Sequence, residues 1–290
     1  YSMPILDRDV FYMLKERVSD NVYWFQSEVY AQVTAGTIVG PQWALLIDTL
    51  MPSETPQIRK FIETQLMVPV KYIINTHHHA DHSWGNCFFP NALVIGHQLC
   101  HDLMVQKSTT ALAEASIDNP AFRDISITPP QISFASGALS LRIGKKQLQI
   151  FPTPGHSDDS ISVLLEDERI LFSGDAFMPV PYFVGGDINV LSESITRIGN
   201  MGLENIVQGH GDIILRGEID EVKQNNLDYL QMLQKIVRIA MRRRNPLEYI
   251  AAQDIEDTGK QRVSLGGFAQ DLHIRNLQWL YYQEIKKQES

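Results

Sequence analysis

Short apolar runs alternate with polar, turn-rich stretches through roughly the first two hundred positions, and the remainder shifts to a helical spacing of apolar residues. Residues 21–26 and 29–39 read as strands joined by a tight turn, and residues 43–47 as a short apolar strand ending at Asp48. Ser53 is placed to cap a helix running to Leu66, because its hydroxyl can accept a hydrogen bond from an orphan amide. Residues 70–75 form a further strand, followed by a polar, histidine-rich segment over 76–86, a strand near 92–95 and a helix over 97–106. Periodicity is weak over 108–130, where a loop with one short helix is expected. Three β runs follow at 131–134, 139–143 and 147–151, the last ended by Pro152 and Pro154, since proline cannot donate to a ladder. Residues 160–165 and 169–172 form a hairpin, 192–201 a helix and 205–207 a brief strand. From Glu218 onward the pattern is helical. Leu227, Leu230, Leu233 and Ile236 form an apolar stripe, Pro246 breaks that helix, and a last helix covers 267–287. Strands alternating with helices predict a layered α/β protein.

Composition narrows the classes. A chain of 290 residues with 44% apolar content suits one large domain or two small ones. Its two cysteines, Cys87 and Cys100, are too few for a disulfide framework and read as buried small hydrophobes. A formal net charge of −9 argues against a nucleic-acid partner. The one basic cluster, Arg242-Arg243-Arg244, reads as a solvated helix end. No apolar run reaches the roughly 18 residues of a membrane span. No signal peptide is visible, which favours a cytoplasmic setting. The opening Tyr1-Ser2-Met3 leaves open a tag remnant before Met3 or a removed leader.

The chemistry concentrates in His77-His78-His79-Ala80-Asp81-His82, directly after an apolar strand. A tight loop at a strand's carboxyl end can aim several side chains at one point. His77, His79, Asp81 and His82 are four candidate metal ligands, and imidazole with carboxylate suits zinc among the borderline metals. One loop rarely completes two metal sites. His156, Asp175 and His210 each sit in turn-like context at a strand end, and each follows a glycine, which lets the backbone turn where a side chain would obstruct it.

The H-x-H-x-D-H loop, the later single histidine, the Gly-Asp aspartate and the Gly-His-Gly histidine, in that order, resemble the metallo-β-lactamase superfamily, and within it the glyoxalase II and lactonase-like branch. The likeness covers roughly Val22 to Leu215. It implies an αββα four-layer sandwich, with residues 1–245 as the hydrolase domain and 246–290 as a helical C-terminal extension packed on it. It implies two divalent metal ions, zinc first, with iron or manganese as alternatives. His77, His79 and His156 would hold one, Asp81, His82 and His210 the other, and Asp175 would bridge them. The implied reaction is attack on an ester, thioester or lactone carbonyl by a metal-bridging hydroxide that Asp81 orients. The implied partner is a small-molecule substrate, and a homodimer stays open.

The rival readings are β-lactam hydrolysis, which the bridging Asp175 disfavours, phosphodiester cleavage, and a mononuclear iron persulfide dioxygenase. The glutamate of the flavodiiron relatives is absent, since His79 stands in its place. A metal-free scaffold would lack ligands, and this chain has the full set. Tyr182 and Phe183 are candidates to wall the substrate pocket, or else to pack beneath its loop, and Asp48 is expected to support the ligand loop by hydrogen bonding. His78 should point out of the site, His97 should cap a helix, and His101 and His273 should pack structurally. Tyr281 and Tyr282 read as core.

Overall fold

Burial sorts the apolar runs into two sheets in the computed structural model, which describes residues 13–289. Tyr1-Ser2-Met3 lies outside the described residues. The first half of the chain is β1 (Met13–Ser19), β2 (Val22–Ser27), β3 (Thr34–Val39), β4 (Ala44–Ile47), α1 (Thr55–Thr64), β5 (Val70–Ile74), α2 (Ala80–Ser83), β6 (Leu93–His97), α3 (Gln98–Leu103), α4 (Thr109–Asp118) and β7 (Ile132–Phe134). Its seven strands lie side by side in chain order, antiparallel from β1 to β4 and parallel from β4 to β7. The second half is β8 (Leu139–Ile143), β9 (Lys146–Pro152), β10 (Ile161–Leu165), β11 (Ile170–Gly174), α5 (Ile188–Gly199), β12 (Asn205–Gln208), β13 (Ile214–Leu215), α6 (Ile219–Ala240), α7 (Pro246–Ala251) and α8 (Ala269–Glu289). Its six strands run in the order β13-β12-β11-β10-β9-β8, with only β11 and β12 parallel.

Three apolar layers hold this together. Between the sheets, Trp24, Ile38, Leu45 and Ile74 meet Leu148, Ile150, Val163 and Phe172. Ile58, Phe61 and Ile62 of α1 cover the outer face of the first sheet. Leu191 and Ile195 of α5, Tyr229 and Leu233 of α6, and Leu277 and Leu280 of α8 share the cluster over the second. Strands with both faces covered read as continuous apolar runs, as β4 does. The result is helix, sheet, sheet, helix. Among the described residues no helix is long and apolar enough to cross a membrane.

Several local expectations need correction. The strand expected from Val29 begins only at Thr34, because Ala31 and Gln32 adopt positive φ values of 45° and 53° and turn the chain. Ser53 does not cap α1: Glu54 holds that position without a side-chain cap, and the Thr55 hydroxyl instead donates to the Thr49 carbonyl at 2.8 Å. The one short helix expected within 108–130 is α4, and it is not separate from the helix before it: a π turn at Met104–Ser108 joins α3 to α4. Its buried residues, Cys100, Met104, Ser108 and Leu112, recur at every fourth position. A stripe this narrow, with a serine in it, gives little apolar signal. The long helix ends at Ala240, ahead of Pro246, which instead opens α7, where its missing N–H costs nothing. β1 and β13 escape sequence reading, the first because it is largely exposed. Arg242, Arg243 and Arg244 are exposed just past α6, as expected, and Arg243 lies 5.0 Å from the Tyr249 ring centroid. Cys100 is buried and Cys87 half-buried, both free.

Glu54 is anomalous for a core residue. Both its oxygens are buried out of contact with solvent. Burial pushes its carboxyl up to about 7, against the Ser27 hydroxyl, which favours the ionised form, and with Glu28, which opposes it. A raised carboxyl value means the folded state prefers the neutral form. That contribution to stability is full below the unfolded value near 4.5 and is lost as pH climbs through about 7. Thermal unfolding of the wild type and Glu54→Gln should therefore show the wild type losing ground to the variant between about pH 5 and pH 8. A gap in Tm that ignores pH over that range would contradict this account of Glu54.

Candidate metal centre

The sandwich brings several strand ends to one rim. After β5, Asn75 donates through its side chain to the His82 carbonyl at 3.1 Å, and the Ile161 amide donates to the Thr76 carbonyl at 2.9 Å. These bonds fold the His77 to His82 segment into a tight loop running into α2, with the Ser83 hydroxyl donating to the His79 carbonyl at 2.8 Å. His156 follows β9, Asp175 follows β11 and His210 follows β12. Two glycines are required by this crowding. Gly155 takes φ +129°, and a Cβ there would lie 2.3 Å from the Leu191 backbone. A Cβ on Gly209 would lie 1.9 Å from Asp175 Oδ1.

Seven donors converge in two groups, His77, His79, His156 and Asp175 in one, Asp81, His82 and His210 in the other, with the donor atoms of each within 4.8 Å of one another. In the first, His79 Nδ1 lies 3.0 Å from both His77 Nε2 and His156 Nε2. In the second, Asp81 Oδ2 lies 3.5 Å from His210 Nε2 and 3.8 Å from His82 Nε2. Asp175 reaches both. Its Oδ2 is 3.3 Å from His156 Nε2, 3.8 Å from His77 Nε2 and 3.5 Å from His210 Nε2, and its Oδ1 is 3.3 Å from His82 Nε2.

Four of the five imidazoles are anchored from behind. His82 Nδ1 donates to Asp48 Oδ2 at 2.9 Å, His156 Nδ1 to the Tyr182 carbonyl at 2.7 Å, and His210 Nδ1 to the Ala31 carbonyl at 2.9 Å. His77 Nδ1 donates to Thr76 Oγ1 at 3.1 Å, whose own proton goes to Asp48 Oδ2 at 2.7 Å. Each such bond fixes a tautomer whose Nε2 lone pair faces inward. Asp48 therefore supports one histidine of each donor group. It does so from φ +57°, an unusual value outside glycine but one that aspartate adopts more readily than most.

Electrostatics separates the histidines. Burial, then the neighbouring rings, pushes His77, His79 and His156 below the ordinary imidazole value, so they stay neutral and able to coordinate. Burial acts the same way on His82 and His210, but Asp175 and Asp81 outweigh it and raise both. Asp175 is buried, yet the facing histidines, His210 first, hold its carboxyl well below the usual range. Asp48 goes the other way, burial lifting it against the pull of His82. His82 Nε2 and Asp175 Oδ1 are fully buried, face each other at 3.3 Å and make no other hydrogen bond. Donors of this kind, beside neutral imidazoles at 3.0 Å, fit a cation between them.

All seven residues singled out as ligands meet here, and Asp48 supports the loop as its position at a strand end suggested. Phe183 is corrected as a pocket wall: it is 1% exposed and packs in the core, the other of its two expected places. Tyr182 is half-buried, its ring centroid 6.0 Å from that of His156. His78 turns away to Asp159, with Nδ1 to Oδ1 at 3.0 Å. His97 caps α3, accepting from the Leu99 amide at 3.2 Å. His101 bonds the Pro130 carbonyl at 2.8 Å, and His273 is buried beside Tyr229. Tyr281 is half-buried against the α6–α8 cluster, whereas Tyr282 is exposed rather than core. Sequence reading missed Thr76, Asp159, Tyr30 and Arg275. Burial raises Tyr30 to about 12, Asp81 adds to that rise, and the Arg275 guanidinium opposes it. Burial likewise raises Tyr182, and Arg275 opposes that rise. Asp159, three positions after His156, offered a faint signal, and the others offered none.

Comparison with known proteins agrees with this geometry. The family model described as "Metallo-beta-lactamase superfamily" matches residues 31–235. The lactamase-like protein nscB of Trichophyton rubrum is 28% identical over 62% of this chain and 50% of its own length. The Beta-lactamase-like protein 2 homolog of Caenorhabditis elegans is 24% identical over 73% of this chain and 65% of its own. The chain thus spans about half to two thirds of these relatives. Among solved structures, a metallo-beta-lactamase from Pontibacter korlensis superposes with a TM-score of 0.60 at 22% identity, covering 76% of this chain and 99% of that one, which is a likeness of fold.

Asp48→Asn keeps the shape but turns an amide group toward donors that need an acceptor. Its affinity for divalent metal, read by chelator competition, should fall by about 10–100-fold. Unchanged affinity would show that the orientation of His77 and His82 does not depend on Asp48.

Proposed function

The chain belongs to the metallo-β-lactamase superfamily, and from that footing we propose that it is a binuclear metal-dependent hydrolase of carboxylic esters, thioesters or lactones, of the glyoxalase II and lactonase-like kind. One observation carries the reading. A single buried carboxylate, Asp175, lies within 3.8 Å of four imidazoles drawn from both donor groups, and one of its oxygens is otherwise unpartnered. His77, His79 and His156 would hold one cation and Asp81, His82 and His210 the other, with Asp175 shared. The nitrogen and oxygen donor set suits zinc, with iron or manganese as alternatives. Divalent ions bound there would polarise the substrate carbonyl and acidify water enough to attack at neutral pH.

The remaining work falls to side chains. The outer hydrogen bonds from Asp48, Thr76, Tyr182 and Ala31 keep the imidazole lone pairs aimed inward throughout the reaction. Asp81 has the most exposed carboxylate of the site, at 15%, and so faces the cleft. It would orient the attacking water and accept its proton as the oxygen–carbon bond forms. The same proton would then pass to the leaving oxygen or sulfur as the carbonyl carbon–heteroatom bond breaks. Tyr182, its ring centroid 6.0 Å from that of His156, would wall the substrate pocket and offer a phenol that burial keeps protonated against the opposing pull of Arg275.

Purified without chelators and supplied with zinc, the protein should carry two ions per chain and hydrolyse members of a panel of lactones and thioesters in preference to β-lactams and phosphodiesters. One iron per chain with no hydrolysis would instead point to the persulfide dioxygenase chemistry. Asp81→Ala should lower kcat by about 10²–10⁴-fold, and His156→Ala should do so with loss of metal. Full hydrolytic rates in either variant would refute the assignment.

A further inference from the structure

The loop that follows Asp175, residues 178–186, has no regular secondary structure, and side chains of the C-terminal helices pin it in place. Asn226 of α6 donates to the Met178 carbonyl at 3.3 Å, and the Trp279 indole of α8 donates to the Gly186 carbonyl at 3.2 Å. Asn276 of α8 does more. Its amide nitrogen donates to the Pro181 carbonyl at 2.8 Å, and its oxygen accepts from the Phe183 amide at 3.1 Å. One side chain thus brackets Tyr182 from both sides. The second N–H of Asn276 goes to the Tyr229 hydroxyl at 3.3 Å, and the residue is 0% exposed, so water cannot replace these bonds.

The bracketed residue has a task. The Tyr182 carbonyl is the acceptor for His156 Nδ1, and the orientation of that ring follows the position of this oxygen. The other anchored imidazoles are held from elsewhere, His77 and His82 through Thr76 and Asp48, and His210 through Ala31. We propose that Asn276 is a positioning residue for one metal site alone: through the Pro181–Phe183 backbone it sets the Tyr182 carbonyl, and through that the His156 ring, which makes the C-terminal helices a tuning element for the first of the two ions. This rests on the reading of His156 as a ligand.

The test uses the full chain with Asn276→Leu, which keeps the branched shape and removes both bracket bonds. Asn226→Leu is the control, because it removes a bond to the same loop away from Tyr182, and Asn276→Ser stands in if the first variant does not fold. Imidazole nitrogen NMR of the metal-free protein reads the His156 Nδ1–H signal directly. That signal should shift or vanish in the Asn276 variant and persist in the Asn226 variant, even if both lose similar Tm. In zinc titrations one of the two ions should bind about 10–100-fold more weakly, the other within about twofold, and excess zinc should restore kcat with KM little changed. An unaltered His156 signal, or equal loosening of both ions, would overturn the proposal. A wild type that binds no metal would instead defeat the hydrolase reading, and the NMR result would still judge the bracket.

Discussion

Five imidazoles and two carboxylates crowd into a space where burial works against every charge, and the attraction of Asp175 and Asp81 for the facing histidines offsets it. Around His79 Nδ1 two further imidazole nitrogens stand at 3.0 Å, and Asp175 is a carboxylate buried among imidazoles, where charge is costly to desolvate. Such a cluster keeps its shape when most of its rings are prevented from rotating away, as four of the five are. The fold meets that need with acceptors placed behind the rings, two of them backbone carbonyls and one a carboxylate shared between donor groups. Those acceptors exist only where strand ends and loops are already rigid, so the packing of the sandwich and the geometry of the donors are one problem.

The sheets solve it by meeting at the rim where the donors lie. β4, β5, β9, β11 and β12 all release their chains toward that rim, and the glycine before each late ligand lets the chain pass where the Leu191 backbone, the Thr76 side chain or the Asp175 carboxylate already stands. The apolar layer between the sheets, from Trp24 to Phe172, fixes the spacing of these ends. Asp48 ties the result together, since one side chain reaches the Thr76 amide and hydroxyl and the His82 ring.

Much of this was legible in the residues. The ligand loop stood out because four donors in six positions after an apolar strand have few other uses, and His156, Asp175 and His210 stood out by their glycines. Layering followed from buried strands such as β4, whose apolar runs carry the signal. What escaped did so for physical reasons. The helical run through Met104 and Ser108 buries too narrow a stripe to mark itself, and β1 is an exposed edge. Phe183 looked like a pocket wall because a sequence cannot say which of two adjacent aromatics turns inward. Thr76 and Asn276 act through single hydrogen bonds to distant segments, which leave no periodic trace.

A short seam joins β3 to the loop after β12. Val33 bridges His210, and the Thr34 amide donates to the Gly209 carbonyl at 2.8 Å. That stitch makes the two sheets act as leaves bound along one spine. Because the spine runs beside His210, backbone hydrogen bonds between the sheets set where that ring's loop stands against β3.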